Sequence, residues 1–100
     1  MTAKQLRELD NWLFENIKGL PSNLSPTQDP AAAMIVLEKC AEKLPVCVFK
    51  SAISGKWIAD YESPEGHDFG IHGDEADTIP LAICLFAKKL FNTENHANKN

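Results

Sequence analysis

The stretch from Ile79 to Leu90 constrains this chain more than any other. Ile79, Ile83, Phe86 and Leu90 recur at three- and four-residue steps, and Leu81, Cys84 and Leu85 widen that stripe until the helix is apolar round most of its circumference. Such a helix has no face to give to water and has to lie in the core, so the rest of the chain must supply what covers it. Asp77 or Thr78 can cap its start and Pro80 is tolerated in a first turn, which predicts a helix over 79–91. The polar residues of 92–100 carry no apolar period and are predicted to fray.

Two further helices follow from end signals and period. Thr2 and Gln5 have capping-box spacing, Leu6, Leu9, Leu13 and Ile17 form a stripe, and Lys18-Gly19 ends it, giving a helix over 3–18. Trp12 and Phe14 flank that stripe, so the helix carries more apolar surface than one narrow face hides. Residues 21–28 hold two prolines among small polar residues and read as a loop. Asp29-Pro30 then opens a helix, in which Ala33, Val36, Leu37, Cys40 and Leu44 form the buried stripe and Ala32, Met34 and Ile35 widen its first turns. Pro45 stops it.

Residues 46–53 and 56–62 read as a β-hairpin turning at Ser54-Gly55. Alternation puts Trp57, Ala59 and Tyr61 on one face and Ile58, Asp60 and Glu62 on the other. Residues 67–72 have the pattern of a short third strand, with Phe69 and Ile71 on its apolar face. The fold class is therefore α+β: a three-stranded antiparallel sheet packed with two core helices, at 29–44 and 79–91, plus an N-terminal helix. In domain terms, a helix at 1–20 and a loop at 21–28 precede an α-β-β-β-α domain at 29–92, with a disordered tail at 93–100.

With 100 residues, a hydrophobic share of 44% and a charged share of 24%, the composition is that of one ordinary globular domain. The formal net charge is -4 and the longest basic run is Lys88-Lys89, which disfavours direct nucleic-acid binding. No unbroken apolar segment indicates a membrane span or secretion, so the cytoplasm is the expected compartment. Cys40, Cys47 and Cys84 sit among apolar neighbours without CxxC spacing and read as buried thiols.

Asp29-Pro30-Ala31-Ala32-Ala33 opening a helix, the hairpin centred on Trp57, and the run Ala76-Asp77-Thr78-Ile79-Pro80-Leu81-Ala82-Ile83-Cys84 together resemble the phage ABA sandwich domain family, over roughly residues 24–91. The resemblance implies a small phage or prophage protein in which two helices pack with a small antiparallel sheet, with some burial on both sheet faces. It implies no catalytic residues.

Chemistry-bearing constellations are sparse. His67 and His72, near Asp68, Asp74 and Asp77, are five residues apart on a predicted strand and so face opposite ways; neither a metal nor any other cofactor is expected. No nucleophile elbow, Gly-rich loop or zinc spacing accompanies the carboxylates, and the chain is read as a binder with no catalytic residue. Asp60, Glu62, Asp74, Glu75 and Asp77 belong to the densest acidic stretch, which suits a basic groove on a partner, and Trp57 and Tyr61 are aromatic anchor candidates. The leading reading is an accessory protein that binds and inhibits a host protein of a nuclease-based defence. The rivals are a binder of a small ligand or nucleotide derivative, with Trp57, Tyr61 and His residues lining its pocket, and a homodimer or other homo-oligomer joined through Leu6, Leu9, Trp12, Leu13 and Ile17.

Overall fold

The computed structural model describes residues 1–63 and 70–97, as α1 (Ala3–Asn16), α2 (Pro30–Ala41), β1 (Val46–Lys50), β2 (Trp57–Tyr61) and α3 (Ile79–Ala97). The helix starts are those the sequence encodes. The Thr2 hydroxyl accepts from the Gln5 amide at 3.1 Å while the Gln5 side chain accepts from the Thr2 amide at 2.8 Å. Asp29 caps α2, its carboxylate accepting from the amides of Ala31 and Ala32 at 2.8 and 3.3 Å.

The ends differ from expectation for local reasons. α1 stops at Asn16, because Ile17 turns extended after donating its amide to Leu13, and Gly19 takes the positive φ of 87° that the exit turn needs. α2 stops at Ala41, and the amides of Lys43 and Leu44 both close a final turn on the Cys40 carbonyl. α3 runs past the predicted end to Ala97: no glycine or proline interrupts it after Leu90, and the Thr93 hydroxyl bonds back to the Lys89 carbonyl.

Burial makes α3 the centre of the molecule. Ala82, Ile83, Cys84, Phe86, Ala87, Leu90 and Phe91 are all buried, and α3 touches α1, α2 and both strands. From α1 and its C-cap come Leu9, Leu13 and Ile17, and from α2 Ala33, Val36 and Cys40. The N-terminal helix is thus part of the same core. Leu6, Pro30 and Pro80 line one cleft, whereas Gly19 lies beside Lys39 and Lys43 sits over the Phe91 ring; the three helices therefore run parallel, with their N-termini at one end.

The antiparallel sheet has two strands among the described residues, not three. Its register pairs Val46 with Tyr61, Val48 with Ala59 and Lys50 with Trp57. Val46, Val48, Trp57, Ala59 and Tyr61 pack on the core, as alternation predicts. Half of the expected third strand lies outside the described residues, and 70–72 are not in a strand. The returning chain instead meets β2 lower down, through one antiparallel bridge in which Trp57 and Ala76 exchange amide hydrogen bonds of 2.8 and 2.9 Å. Gly73 makes that approach feasible: a Cβ there would sit 1.7 Å from the Ala59 carbonyl oxygen. The second sheet face is partly buried, as expected: Cys47, Ile58 and Asp60 are half-buried, with the returning chain at His72 and Gly73 beside Asp60 and Ile58, and Phe49 is exposed.

Candidate partner-binding site

At the end where the helices begin, the cappings of α2 and α3 determine what solvent meets. Thr78 caps α3, its hydroxyl accepting from the Leu81 amide at 3.3 Å and its carbonyl from the Ala82 amide at 3.1 Å. Both helices then place a proline, Pro30 and Pro80, in their first turn, where the missing amide hydrogen costs nothing. These rings, with Met34, Ile79 and the Trp57 indole, wall an open apolar cleft of about 510 Å3 whose floor is Ala33 and Ile83. Met34 is 50% exposed and Ile79 39%, although both belong to apolar helix stripes. A neighbouring cleft of about 480 Å3, walled by Leu6, Thr27 and Leu81, shares Pro30, Pro80, Asp77 and Thr78 with the first. The two form one continuous apolar end.

Trp57 is positioned by its backbone bridge to Ala76 and by Lys50, whose Nζ stands 5.8 Å from the ring centroid. It is half-buried, so its ring serves the core on one side and the cleft on the other. Charge is confined to the rim, where Lys56 and Asp77 approach to 3.7 Å across exposed side chains.

Among the acidic residues, Asp77 stands apart from Asp60 and Glu62. Asp74 is bonded to Lys89 at 3.0 Å and Asp77 faces Lys56, while Asp60 accepts from its neighbour's amide, that of Tyr61, at 2.9 Å and lies 3.6 Å from His72. Asp60 and Glu62 stand at one end of the hairpin ladder and Asp77 at the other. Glu62 and Glu75 are exposed. Tyr61 is half-buried and stacks on His72 with ring centroids 5.8 Å apart. His67 and Asp68 lie outside the described residues.

Of the expected interface residues, Leu9, Leu13 and Ile17 are at most 4% exposed within the single chain, so they are spent on its own core. Leu6 and Trp12 remain half-buried, with Lys88 Nζ 5.9 Å from the Trp12 ring. Among the thiols, Cys40 and Cys84 are fully buried and Cys47 only half. Burial pushes the Cys40 thiol up to about 12 and Cys84 further in the same direction, so both stay protonated and unreactive. Burial and the nearby Glu62 and Asp60 also raise Cys47.

Sequence reasoning found Trp57 but not Met34, Ile79, Pro30 and Pro80 as its companions. The available signal was the apolar excess in the first two turns of α2 and an isoleucine ahead of a helix-opening proline. Either pattern is equally that of core. Compared with known proteins, the chain matches no family model, no curated sequence and no solved structure.

Proposed function

We propose that this chain acts by binding a protein partner, in the accessory role that the resemblance to small phage proteins implies, and that the apolar cleft beside Trp57 receives an apolar side chain of that partner. The observation that carries this reading is the exposure of Met34 and Ile79 around Trp57 at one end of the molecule. Aromatic and methionine side chains in a cleft supply large contact area and adaptable packing, which is where binding energy concentrates in protein interfaces. Its charged rim, Lys56 and Asp77, is suited to orienting a partner more than to holding it.

The acidic stretch has less support as the contact surface. Asp74 and Asp77 already face lysines of the same chain, and engaging a basic groove would require giving up those pairs. The comparison that decides is affinity capture from a bacterial host lysate with three baits: the wild type, Met34→Asp/Ile79→Asp, and Asp74→Lys/Glu75→Lys. The cleft reading expects one captured protein that the second bait loses and the third keeps. The opposite pattern would move the contact to the acidic loop, and an empty wild-type capture would end the proposal.

A further inference from the structure

Among the described residues the hairpin leaves one edge open, and its hydrogen-bonding groups can be assigned. Glu62 donates to the Pro45 carbonyl at 2.7 Å and Ser51 donates to the Lys56 carbonyl at 2.8 Å. Bonded pairs alternate along an antiparallel ladder, so Cys47 and Phe49 also bond toward β2. The amides and carbonyls of Val46, Val48 and Lys50 therefore point the other way, and among the described residues no strand pairs with them. An edge of this kind is a template for one more strand. It carries little of what usually blunts an edge: no proline or bulge within it, a single lysine at its far end, and a phenylalanine that is 45% exposed on the second sheet face.

We propose that β1 pairs antiparallel with β1 of a second copy about a two-fold axis through Val48, joining the two hairpins into one four-stranded sheet. The outward groups fit themselves in this register, because Val46 of each copy then lies opposite Lys50 of the other. The distribution of charge between the two ends is compatible with the same arrangement. The end of the hairpin where β1 begins carries Glu42, Lys43, Asp60 and Glu62, and the turn end carries Lys50 and Lys56, the latter facing Asp77. Lys43 lies over the Phe91 ring and Lys50 over the Trp57 ring. Antiparallel pairing brings the turn end of one copy to the acidic end of the other, with Lys50 on the Val46 face of the joined sheet and Asp60 and Glu62 on the opposite face. On the second sheet face, Phe49 comes opposite Cys47 of the second copy in a non-bonded pair, with Cα atoms about 4.5 Å apart. This edge meets the cleft at Lys50, whose Nζ lies over the Trp57 ring.

Sedimentation equilibrium tests the state and a cross-link tests the register. The wild type is expected at twice its chain mass of 11.1 kDa. Lys50→Pro removes an outward amide that β2 does not use, and should weaken the dimer at least tenfold while the circular dichroism spectrum stays that of the folded chain. Phe49→Cys should join covalently to Cys47 of the second copy under diamide, two thiols losing two protons and two electrons to the reagent as it becomes the hydrazine. The wild type should not cross-link, because its two Cys47 residues would be diagonal neighbours about 7–8 Å apart. Both results are required. A monomeric wild type, a dimer indifferent to Lys50→Pro, or Phe49→Cys that stays uncoupled would each overturn the pairing; a monomer that instead recruits an extended peptide of another protein would assign the edge to that partner.

Discussion

Asp10 is the buried charge on which the path of the chain between α1 and α2 depends. It is 7% exposed, and its carboxylate accepts from the Ser25 hydroxyl at 2.5 Å, from the Thr27 amide at 3.0 Å and from the Thr27 hydroxyl at 3.2 Å. Thr27 is 2% exposed, so its amide has no water to turn to if the carboxylate is removed. In Asp10→Ala that orphaned donor costs about 1–3 kcal/mol, and the lost charge-assisted bonds bring the total to roughly 2–4 kcal/mol. The two hydroxyls, already 3.2 Å apart, can still bond to each other, which limits the loss. For a chain of this length the expected fall in Tm is about 10–20 °C. Asp10→Asn keeps one acceptor but turns an NH2 toward donors, so it should lie between Ala and wild type. Urea denaturation measures the difference, and amide exchange should show Thr27 losing protection in both variants. If both melt within about 0.5 kcal/mol of wild type, well inside the range of ordinary surface substitutions, the carboxylate does not hold the loop and the reasoning fails.

Other substitutions read other contacts. Gly73→Ala forces a Cβ into the Ala59 carbonyl, and the chain must move; a loss of about 1–3 kcal/mol with weakened Trp57 amide protection is expected, and a neutral melt would contradict that close approach. Leu13→Ala should cost about 2–5 kcal/mol, and removing residues 1–20 should unfold the body, since α1 covers α3; a folded truncated chain by circular dichroism would detach α1 from the core. The buried thiols make stability fall in alkali: an unfolded thiol ionises near 9.0 whereas Cys40 holds its proton to about 12, so between these values the unfolded chain releases a proton that the folded chain keeps. At pH 10 this amounts to about 1.4 kcal/mol for Cys40, and Cys84 acts in the same direction. Urea midpoints at pH 8 and 10 should therefore converge in Cys40→Ala/Cys84→Ala, and an unchanged slope would remove the thiols from the account.

What the sequence determined by itself was local. Thr2 with Gln5, Asp29 with Pro30, and Thr78 with Pro80 start helices through bonds to residues two to four places away, so their chemistry is complete within a turn. The hairpin and its inward face followed from a period of two and from Gly55, whose φ of 73° closes the turn. The all-round apolar 79–90 segment had to be central, and it is. The remaining features depend on groups far apart in the chain. Asp10 meets Thr27 across 17 positions, and nothing local distinguishes that aspartate from a solvated one. Among the described residues 70–72 form no strand, because pairing depends on where the returning chain meets β2, which Gly73 and Ala76 settle by close approach; the alternating pattern of the segment does not. Met34 and Ile79 look like core in the sequence, and their exposure comes from the parallel packing of α2 and α3, which leaves the first turns of both helices standing open beside Trp57.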